Sequence, residues 1–171
     1  MQGYVHVYTG NGKGKTTAVL GMIMRAVGAG FRVYLGQFLK KGETSEVKCL
    51  RKRFPDVTLE QYGSGHLIKD KPLQDDIRLA GQGLTRLRSA MLSGMYNMVI
   101  ADEANGCVKA GLADVEDLLQ LIREKPRHVE LIFTGRHAHK RLIDAADLVT
   151  EMKEIKHYYN RKVKARRGIE R

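Results

Sequence analysis

One glycine-rich stretch, YVHVYTGNGKGKTT at residues 4–17, constrains the fold of this chain more than any other feature. Its apolar first half predicts a buried β-strand, and its second half predicts a loop that runs directly into a helix. Glycine has no Cβ, so Gly10, Gly12 and Gly14 allow positive φ angles and a close approach of the backbone to a ligand. The backbone N–H groups of such a loop, together with the positive end of the following helix, favour a bound phosphate.

The residues after the glycines support the same interpretation. Lys15 supplies a mobile positive charge, and Thr16 supplies a hydroxyl of the type that binds Mg²⁺ beside the β- and γ-phosphates. The strict phosphate-loop pattern is G-x-x-x-x-G-K-[ST], and Thr9 stands where its first glycine belongs. The stretch therefore predicts a relaxed phosphate-binding loop and a nucleoside triphosphate site. An ordinary glycine-rich turn between a strand and a helix is the alternative.

Length and composition limit the rest of the chain. At 171 residues, of which 43% are hydrophobic, it is long enough for one well-buried core and short for two. We expect a single nucleotide-binding domain over residues 1–171, with a basic C-terminal tail at residues 153–171. The sequence has no apolar run of about 18 residues and no secretion signal, so we expect a cytoplasmic protein without membrane contact. Cys49 and Cys107 lack partners at metal-ligand spacing, which suits a reducing compartment.

The net charge of +11 is concentrated near the C-terminus, where eight Lys or Arg residues lie between Lys153 and Arg171. Such a surface attracts nucleic acid, a small polyanion such as ATP, or only solvent. The sequence shows no helix-turn-helix, zinc-finger or RNP-type signature, so nucleic acid is not an expected partner. His137, His139 and His157 are spaced too irregularly for a metal site, and we expect them to be solvated or hydrogen-bonded.

Predicted strands and helices alternate along the whole chain. The predicted strands are 3–9, 31–38, 57–62, 95–103, 128–134 and 148–152, and the predicted helices are 15–27, 44–54, 114–124, 139–145 and a long helix from Pro72. The long helix has an apolar stripe formed by Leu73, Ile77, Ala80, Leu84, Leu87 and Met91. This alternation predicts an α/β fold in which helices cover a mostly parallel sheet through right-handed crossovers.

Charged residues follow several of the predicted strands, and the carboxyl ends of parallel strands meet at one edge of a sheet. Asp102 and Glu103 end the strand VIADE, where a carboxylate can hold Mg²⁺ directly or through water. Because neighbouring strand residues point to opposite faces, we expect only one of the two carboxylates to face the metal. Arg136 follows the strand HVELIFT and can contact a phosphate oxygen. Further candidates after the second strand are Lys40, Lys41 and Glu43, with a solvated loop as the alternative.

Taken together, these segments resemble the P-loop class of ATP:corrinoid adenosyltransferases over nearly the whole chain. The residues that carry the resemblance are TGNGKGKTT at 9–17, RAVG at 25–28, QFLK at 37–40, YGSG at 62–65, VIADE at 99–103, FTGR at 133–136, DAADLVTEM at 144–152 and IKHYYNRKVKARRGIE at 155–170. The resemblance implies a RecA-like P-loop NTPase fold, a three-layer α/β sandwich. It also implies transfer of the 5′-deoxyadenosyl group of ATP to the cobalt of a reduced corrinoid, with release of triphosphate, in adenosylcobalamin biosynthesis or salvage.

The resemblance further implies the site residues. By position, phosphate and metal contacts carry over to Asn11, Gly12, Lys13, Gly14, Lys15, Thr16, Thr17, Arg25, Glu103 and Arg136. Lys15, Thr16, Glu103 and Arg136 are the predicted catalytic residues, and Thr16, Glu103 and Asp102 are the candidates for binding Mg²⁺ or Mn²⁺. Reduced cobalt is itself a strong nucleophile, so the protein has to supply positioning and stabilisation of the leaving group rather than a general base.

The corrinoid side of the site is expected in the loop after YGSG. Related enzymes carry bulky aromatic residues there, including a tryptophan, whereas this chain has His66, Leu67 and Ile68 and no tryptophan. These three residues are the predicted corrinoid-facing positions. Relatives also have a segment before the first strand that helps to close over the corrinoid, usually in a dimer, and here the predicted first strand begins at residue 3. We expect a homodimer that receives electrons from a flavoprotein reductase.

Two other functions are compatible with parts of the same pattern. The phosphate-binding loop, the DE strand and the basic tail also suit a RecA-like P-loop ATPase that acts on nucleic acid or is stimulated by it. A corrinoid or nucleotide carrier without catalysis follows if the changed loop at residues 66–68 does not support formation of reduced cobalt.

Overall fold

The computed structural model describes residues 2–65 and 72–170, which fold around a six-stranded sheet with the strand order β3-β2-β4-β5-β1-β6. All five pairs of neighbouring strands are parallel. The strands are β1 (Val5–Thr9), β2 (Val33–Phe38), β3 (Val57–Tyr62), β4 (Met98–Asp102), β5 (Glu130–Thr134) and β6 (Leu148–Glu151). The helices are α1 (Lys15–Gly28), α2 (Ser45–Arg53), α3 (Gln74–Leu92), α4 (Ala104–Lys109), α5 (Val115–Glu124) and α6 (Lys140–Ala145), and a 3₁₀ turn covers Tyr158–Arg161.

Helices cover both faces of the sheet, and each face has its own apolar cluster. The cluster on one face joins α1 and α2 to alternate strand residues such as Leu35, Ile100 and Ile132. The cluster on the other face joins the remaining helices to the intervening residues such as Val99 and Phe133. Because side chains alternate between the faces of a strand, both sets of strand residues are buried, and the predicted three-layer α/β sandwich is confirmed.

Strand position explains the burial pattern. All six residues of β2 are buried, as expected for an interior strand with helices on both sides. At one edge of the sheet β3 is only partly buried, and at the other edge all four residues of β6 are exposed. The interior strands are therefore the buried part of the sheet, and their carboxyl ends lie at the edge where ligands of parallel sheets bind.

The long helix differs from its sequence prediction. It begins at Gln74 rather than at Pro72, and the Asp76 carboxylate accepts the N–H of Leu73 at 3.3 Å. Leu73 and Ile77 were predicted in the buried stripe, but their exposed fractions are 62% and 38%. The buried face is instead completed by small residues such as Gly83 and Ala90, because the helix lies close against the sheet.

Two short elements were not predicted. The α4 helix begins immediately after Glu103, and the 3₁₀ turn lies in the basic C-terminal tail. The predicted ends of the first, second, fourth, fifth and sixth strands also lie one to three residues outside the observed ones. Within the described residues, no helix has the length and apolar character needed to cross a membrane.

Candidate functional site

The phosphate-binding loop lies between β1 and α1, and its conformation depends on glycine. Gly14 has a φ of 123° and directly precedes the first residue of α1. Within the part of the chain that the structure describes, no side chain caps this helix, so its first backbone N–H groups are available to an anion. A Cβ on Gly12 would lie 2.8 Å from the carbonyl oxygens of Met152 and Lys153, so only glycine fits where the C-terminal segment crosses the loop.

The Lys15 side chain folds back along this loop. Its Nζ donates to the carbonyl oxygens of Gly10 at 2.7 Å and Gly12 at 2.8 Å. Burial lowers the pKa of Lys15, while the nearby carboxylates of Glu103 and Asp102 act in the opposite direction. The ammonium is thus held inside the loop by neutral carbonyl groups, which is the position from which it can bind a phosphate oxygen.

The buried carboxylate of Asp102 connects the loop to the end of β4. Its oxygens accept hydrogen bonds from Thr16 Oγ1 at 3.0 Å and from Thr134 Oγ1 at 2.6 Å. They also accept from Lys40 Nζ at 2.7 Å and Gln37 Nε2 at 3.2 Å. Strand β5 lies between β1 and β4, so Thr134 at its end fills the gap between the loop and the acid. Four donors therefore occupy the Asp102 carboxylate.

Glu103 is placed differently, because the backbone turns sharply after β4. It has a φ of 64° and its N–H donates to Thr134 Oγ1 at 3.0 Å, so that its side chain lines the cavity instead of continuing the strand. Burial raises the pKa of Glu103 and Asp102 raises it further, whereas the cations of Lys40, Lys15 and Arg136 lower it. A carboxylate in this environment favours a cation beside it.

A cavity of about 560 Å³ opens over the loop and the carboxyl ends of the strands. Its lining residues are Gly12, Lys13, Gly14, Lys15, Thr16, Thr17, Leu20, Lys40, Ser45, Glu46, Glu103, Arg136, His157, Gly168, Ile169 and Glu170. Cationic side chains thus surround a space that adjoins a helix N-terminus. This arrangement is suited to a polyphosphate.

Most of the predicted site residues meet at this cavity. Gly12, Lys13, Gly14, Lys15, Thr16, Thr17, Lys40, Glu103 and Arg136 line it, and Asp102 lies directly behind Thr16. Asn11, Lys41 and Glu43 are exposed and do not line it. His66, Leu67 and Ile68 lie outside the described residues.

Arg25 is also not brought to the cavity. It lies in the last turn of α1, and ten residues of helix at about 1.5 Å each separate it from Lys15 by about 15 Å. The resemblance placed Arg25 among the phosphate contacts, but the length of the helix keeps its side chain away from the loop within this chain.

Sequence reasoning missed the C-terminal wall of the cavity and two residues at the start of α2. His157 and the run from Gly168 to Glu170 line the cavity from the tail, and Ser45 and Glu46 line it from α2. The sequence signal for the tail was the family resemblance of residues 155–170, which did not indicate that they line the cavity. For Ser45 and Glu46 no comparable signal exists, because their placement depends on the path of the loop after β2.

The site contains a hydroxyl oxygen and carboxylate oxygens that could bind Mg²⁺. Magnesium is usually held by one or two protein oxygens together with substrate phosphates and water. Within residues 2–65 and 72–170, no group of three His, Cys, Asp or Glu side chains could hold a metal ion by itself. The ammonium of Lys40 lies 3.2 Å from Thr16 Oγ1 and 2.7 Å from Asp102, which shows that these two oxygens favour a cation.

The parallel sheet, the glycine loop at a helix N-terminus and the buried acid at the end of a neighbouring strand define a P-loop nucleotide-binding protein. The sequence profile of the family described as ATP:corrinoid adenosyltransferase BtuR/CobO/CobP matches residues 1–171. The chain belongs to this family. Membership favours the adenosyltransferase interpretation over that of a nucleic-acid-stimulated ATPase.

One of the following three similar proteins is named for the same activity as the family. The chain is 32% identical over 170 residues to a corrinoid adenosyltransferase of Pseudomonas aeruginosa, which covers 99% of this chain and 84% of that protein. It is 35% identical over 172 residues to a Nostoc sp. protein described as uncharacterized, and the match covers 92% of this chain but only 45% of that protein. Among solved structures, the cytoplasmic domain of EssC is similar with a TM-score of 0.58 at 17% identity, covering 96% of this chain and 34% of that one. This last similarity concerns the fold alone.

Proposed function

We propose that this protein transfers the 5′-deoxyadenosyl group of ATP to the cobalt of a reduced corrinoid. The Co(I) substrate attacks the ribose C5′ with an electron pair, and a cobalt–carbon bond forms. The bond between C5′ and the triphosphate oxygen breaks, and triphosphate leaves with the electrons of that bond. The observation that supports this most directly is the cavity over the loop, which is lined by the cations of Lys15, Lys40 and Arg136.

The protein's part in this reaction is to hold the leaving group. A departing triphosphate carries several negative charges, and donors fixed before the reaction stabilise that charge at no cost in reorganisation. The loop N–H groups and Lys15 would bind the phosphates from below, and Arg136 at the end of β5 would bind them from the opposite side. The nucleophile is supplied by the corrinoid, so the site requires positioning more than proton transfer.

We propose Thr16 and Glu103 as the residues that would hold Mg²⁺ beside the phosphates, with Asp102 as the acid that orients Thr16. Asp102 already accepts from four donors, whereas the Glu103 side chain lines the cavity. When bound, Mg²⁺ or Mn²⁺ would neutralise part of the triphosphate charge. Asp102 would keep the Thr16 hydroxyl in place.

The corrinoid is proposed to lie beyond the end of β3. Gly63, Ser64 and Gly65 follow this strand at the same edge of the sheet as the loop. The positions that follow them, His66, Leu67 and Ile68, are proposed to face the corrinoid on the basis of family resemblance.

We also propose a homodimer in the cytoplasm that receives electrons from a flavoprotein reductase. Free cysteines, of which Cys49 is exposed, agree with a reducing compartment.

The reaction products test the proposal. Chemically reduced cobalamin, ATP and Mg²⁺ should give a light-sensitive alkylcobalamin, followed optically, and intact triphosphate in equal amount. ADP and phosphate as products would rule the mechanism out. Binding of ATP and corrinoid without any product would instead identify a carrier.

Lys15→Ala should lower kcat/KM by about 100-fold or more, because it removes a cation from the leaving group. Lys48→Ala changes an exposed lysine of α2 that does not line the cavity, and it serves as the matched control. Equal activity of the two variants would contradict the role given to Lys15.

A further inference from the structure

The tail that the sequence presented as a basic extension lies across the nucleotide cavity. We call residues 153–170 the C-terminal strap. Met152, the residue directly before the strap, is held by backbone hydrogen bonds to the phosphate-binding loop. The N–H of Gly12 donates to the Met152 carbonyl at 2.7 Å, and the N–H of Met152 donates to the Thr9 carbonyl at 2.8 Å. The strap therefore leaves β6 in contact with the phosphate-binding loop.

After Met152, the strap buries little apolar surface. The exposed fractions are 95% for Ile155, 74% for Tyr159 and 57% for Ile169. Hydrophobic burial thus contributes little to holding this segment in place. Polar contacts at its far end have to provide most of the attachment.

Those polar contacts converge on Glu170. Lys13 Nζ lies 3.1 Å from its carboxylate and 3.1 Å from the carbonyl of Ile169. Within the strap, the Arg166 backbone N–H donates to Glu170 at 2.8 Å, the Arg166 guanidinium donates at 3.0 Å, and the Tyr158 hydroxyl also donates to this carboxylate. The Arg166 guanidinium further stacks over the Tyr158 ring at 5.0 Å. Only 16% of the Glu170 side chain is exposed.

This cluster brings a histidine to the cavity. His157 lines the cavity, and its Nδ1 accepts the N–H of Tyr159 at 3.0 Å. In the neutral ring the proton is then on Nε2, which remains available as a donor. The ring also packs against Tyr158, with 4.8 Å between centroids, so that the His157 side chain is in contact with the Glu170 cluster.

We propose that Glu170, acting through Lys13, is the positioning residue that holds the C-terminal strap closed as a wall of the nucleotide cavity, and that this closure sets the affinity for ATP. The proposal deepens the proposed function, on which it rests for the identity of the nucleotide. Lys13 is thereby assigned to the strap, whereas family resemblance assigned it to the phosphates. Without the carboxylate, Lys13 and Arg166 repel each other and the strap opens.

The test compares Glu170→Gln with Glu154→Gln. Both variants remove one negative charge from the strap, but among the described residues Glu154 accepts a single hydrogen bond, from Asn160 at 3.2 Å. ATP affinity is measured by equilibrium binding with Mg²⁺ and without corrinoid. Closure is measured by tryptic cleavage after Arg161, Lys162 and Lys164, with cleavage at residues 51–53 of α2 as an internal reference for global unfolding.

Glu170→Gln should weaken ATP binding about tenfold and speed cleavage within the strap by a similar factor, since it loses charge-assisted hydrogen bonds. Cleavage at the α2 sites should not change, and ATP should slow strap cleavage in the unmodified protein. Glu154→Gln should behave as the unmodified protein in both measurements. Equal ATP affinity and equal strap cleavage in the two variants would overturn the proposal.

A second variant covers the case in which Glu170→Gln fails to fold. Tyr158→Phe removes only a hydroxyl donor to Glu170 and should shift ATP affinity and strap cleavage in the same direction by about threefold.

In the adenosylation assay, Glu170→Gln should raise KM for ATP and leave kcat almost unchanged, and an unchanged KM would count against the strap proposal. These binding and cleavage tests use no corrinoid, so absence of adenosylation would refute the proposed function while leaving the strap proposal standing.

Discussion

At the scale of single residues, the two adjacent acids at the end of β4 have different environments. The difference results from the positive φ angle of Glu103. Asp102 keeps the extended strand conformation and is buried among donors, whereas Glu103 adopts a left-handed conformation and turns into the cavity. The sequence predicted that only one of the two would face a metal. It could not predict which one, because the answer depends on the start of α4 and on the position of Thr134.

Neutral variants of the two acids should separate these roles. Glu103→Gln should reduce apparent Mg²⁺ affinity by about 10- to 100-fold without loss of stability, because burial already disfavours the charge of Glu103. Asp102→Asn should lower the free energy of unfolding by about 1–3 kcal/mol, because the amide keeps only one of the two acceptor oxygens, so that either Lys40 or the two hydroxyl groups lose their acceptor. Urea unfolding and Mg²⁺ titration measure the two effects. An unstable Glu103→Gln variant beside an unchanged Asp102→Asn variant would reverse the assignment.

The two cysteines should differ in reactivity. Cys49 is exposed, whereas Cys107 is buried in α4. Burial raises the pKa of Cys107 to about 12, with a further contribution from Glu103, so its thiol stays protonated at pH 8. A disulfide reagent at this pH should modify one thiol per folded chain and two after denaturation. With Cys49→Ser, no thiol should react in the folded protein, and rapid modification of Cys107 would contradict its burial.

At the scale of elements, the buried face of α3 is decided by how closely the helix packs on the sheet and not by its apolar residues alone. Its helical period was predicted correctly, but its buried face passes through Gly83, against which Phe38 and Tyr62 pack. A helical sequence pattern assigns the buried face from the large apolar residues. It therefore does not predict that a glycine such as Gly83 packs against the sheet. The close approach of the helix to β2 and β3 made this glycine part of the core, whereas Leu73 at the N-terminal end is exposed.

Two glycines of α3 provide a matched test. A Cβ on Gly83 would lie 2.7 Å from both Phe38 Cε1 and Tyr62 Cγ, whereas a Cβ on Gly81 would meet no described residue within 4 Å. Gly81→Ala should stabilise the protein by up to about 1 kcal/mol through helix propensity. Gly83→Ala should destabilise it by about 1–3 kcal/mol through overpacking. Urea unfolding of both variants measures the difference, and stabilisation by Gly83→Ala would show that the helix can move away from the sheet.

At the scale of the whole molecule, the site exists only where four strand ends, the glycine loop and the C-terminal strap come together. Lys15, Lys40, Glu103 and Arg136 are distant in sequence, yet they line one cavity. They follow β1, β2, β4 and β5, whose carboxyl ends lie at the same edge of the parallel sheet. A ligand in this cavity therefore connects segments from the whole chain, and its binding should stabilise the fold as a unit.

Thermal unfolding should detect this coupling. ATP with Mg²⁺ at 100 times its dissociation constant should add about 2.7 kcal/mol to the free energy of unfolding. For a chain of this size that corresponds to an increase in Tm of about 5–11 °C. AMP lacks the two outer phosphates and should give a much smaller increase at the same concentration. An equal increase with AMP would show that the nucleoside, and not the triphosphate, dominates binding.

The sequence by itself determined the strand, loop and helix of the phosphate site, the parallel α/β architecture and the family, because local glycine, lysine and apolar patterns specify them directly. Only the tertiary structure decided that Glu103 lines the cavity, that Arg25 does not line it within this chain and that the strap contacts Lys13. The physical reason is that helix length, strand order and the path of a polar segment are set by contacts between residues far apart in the chain. No local pattern contains those contacts.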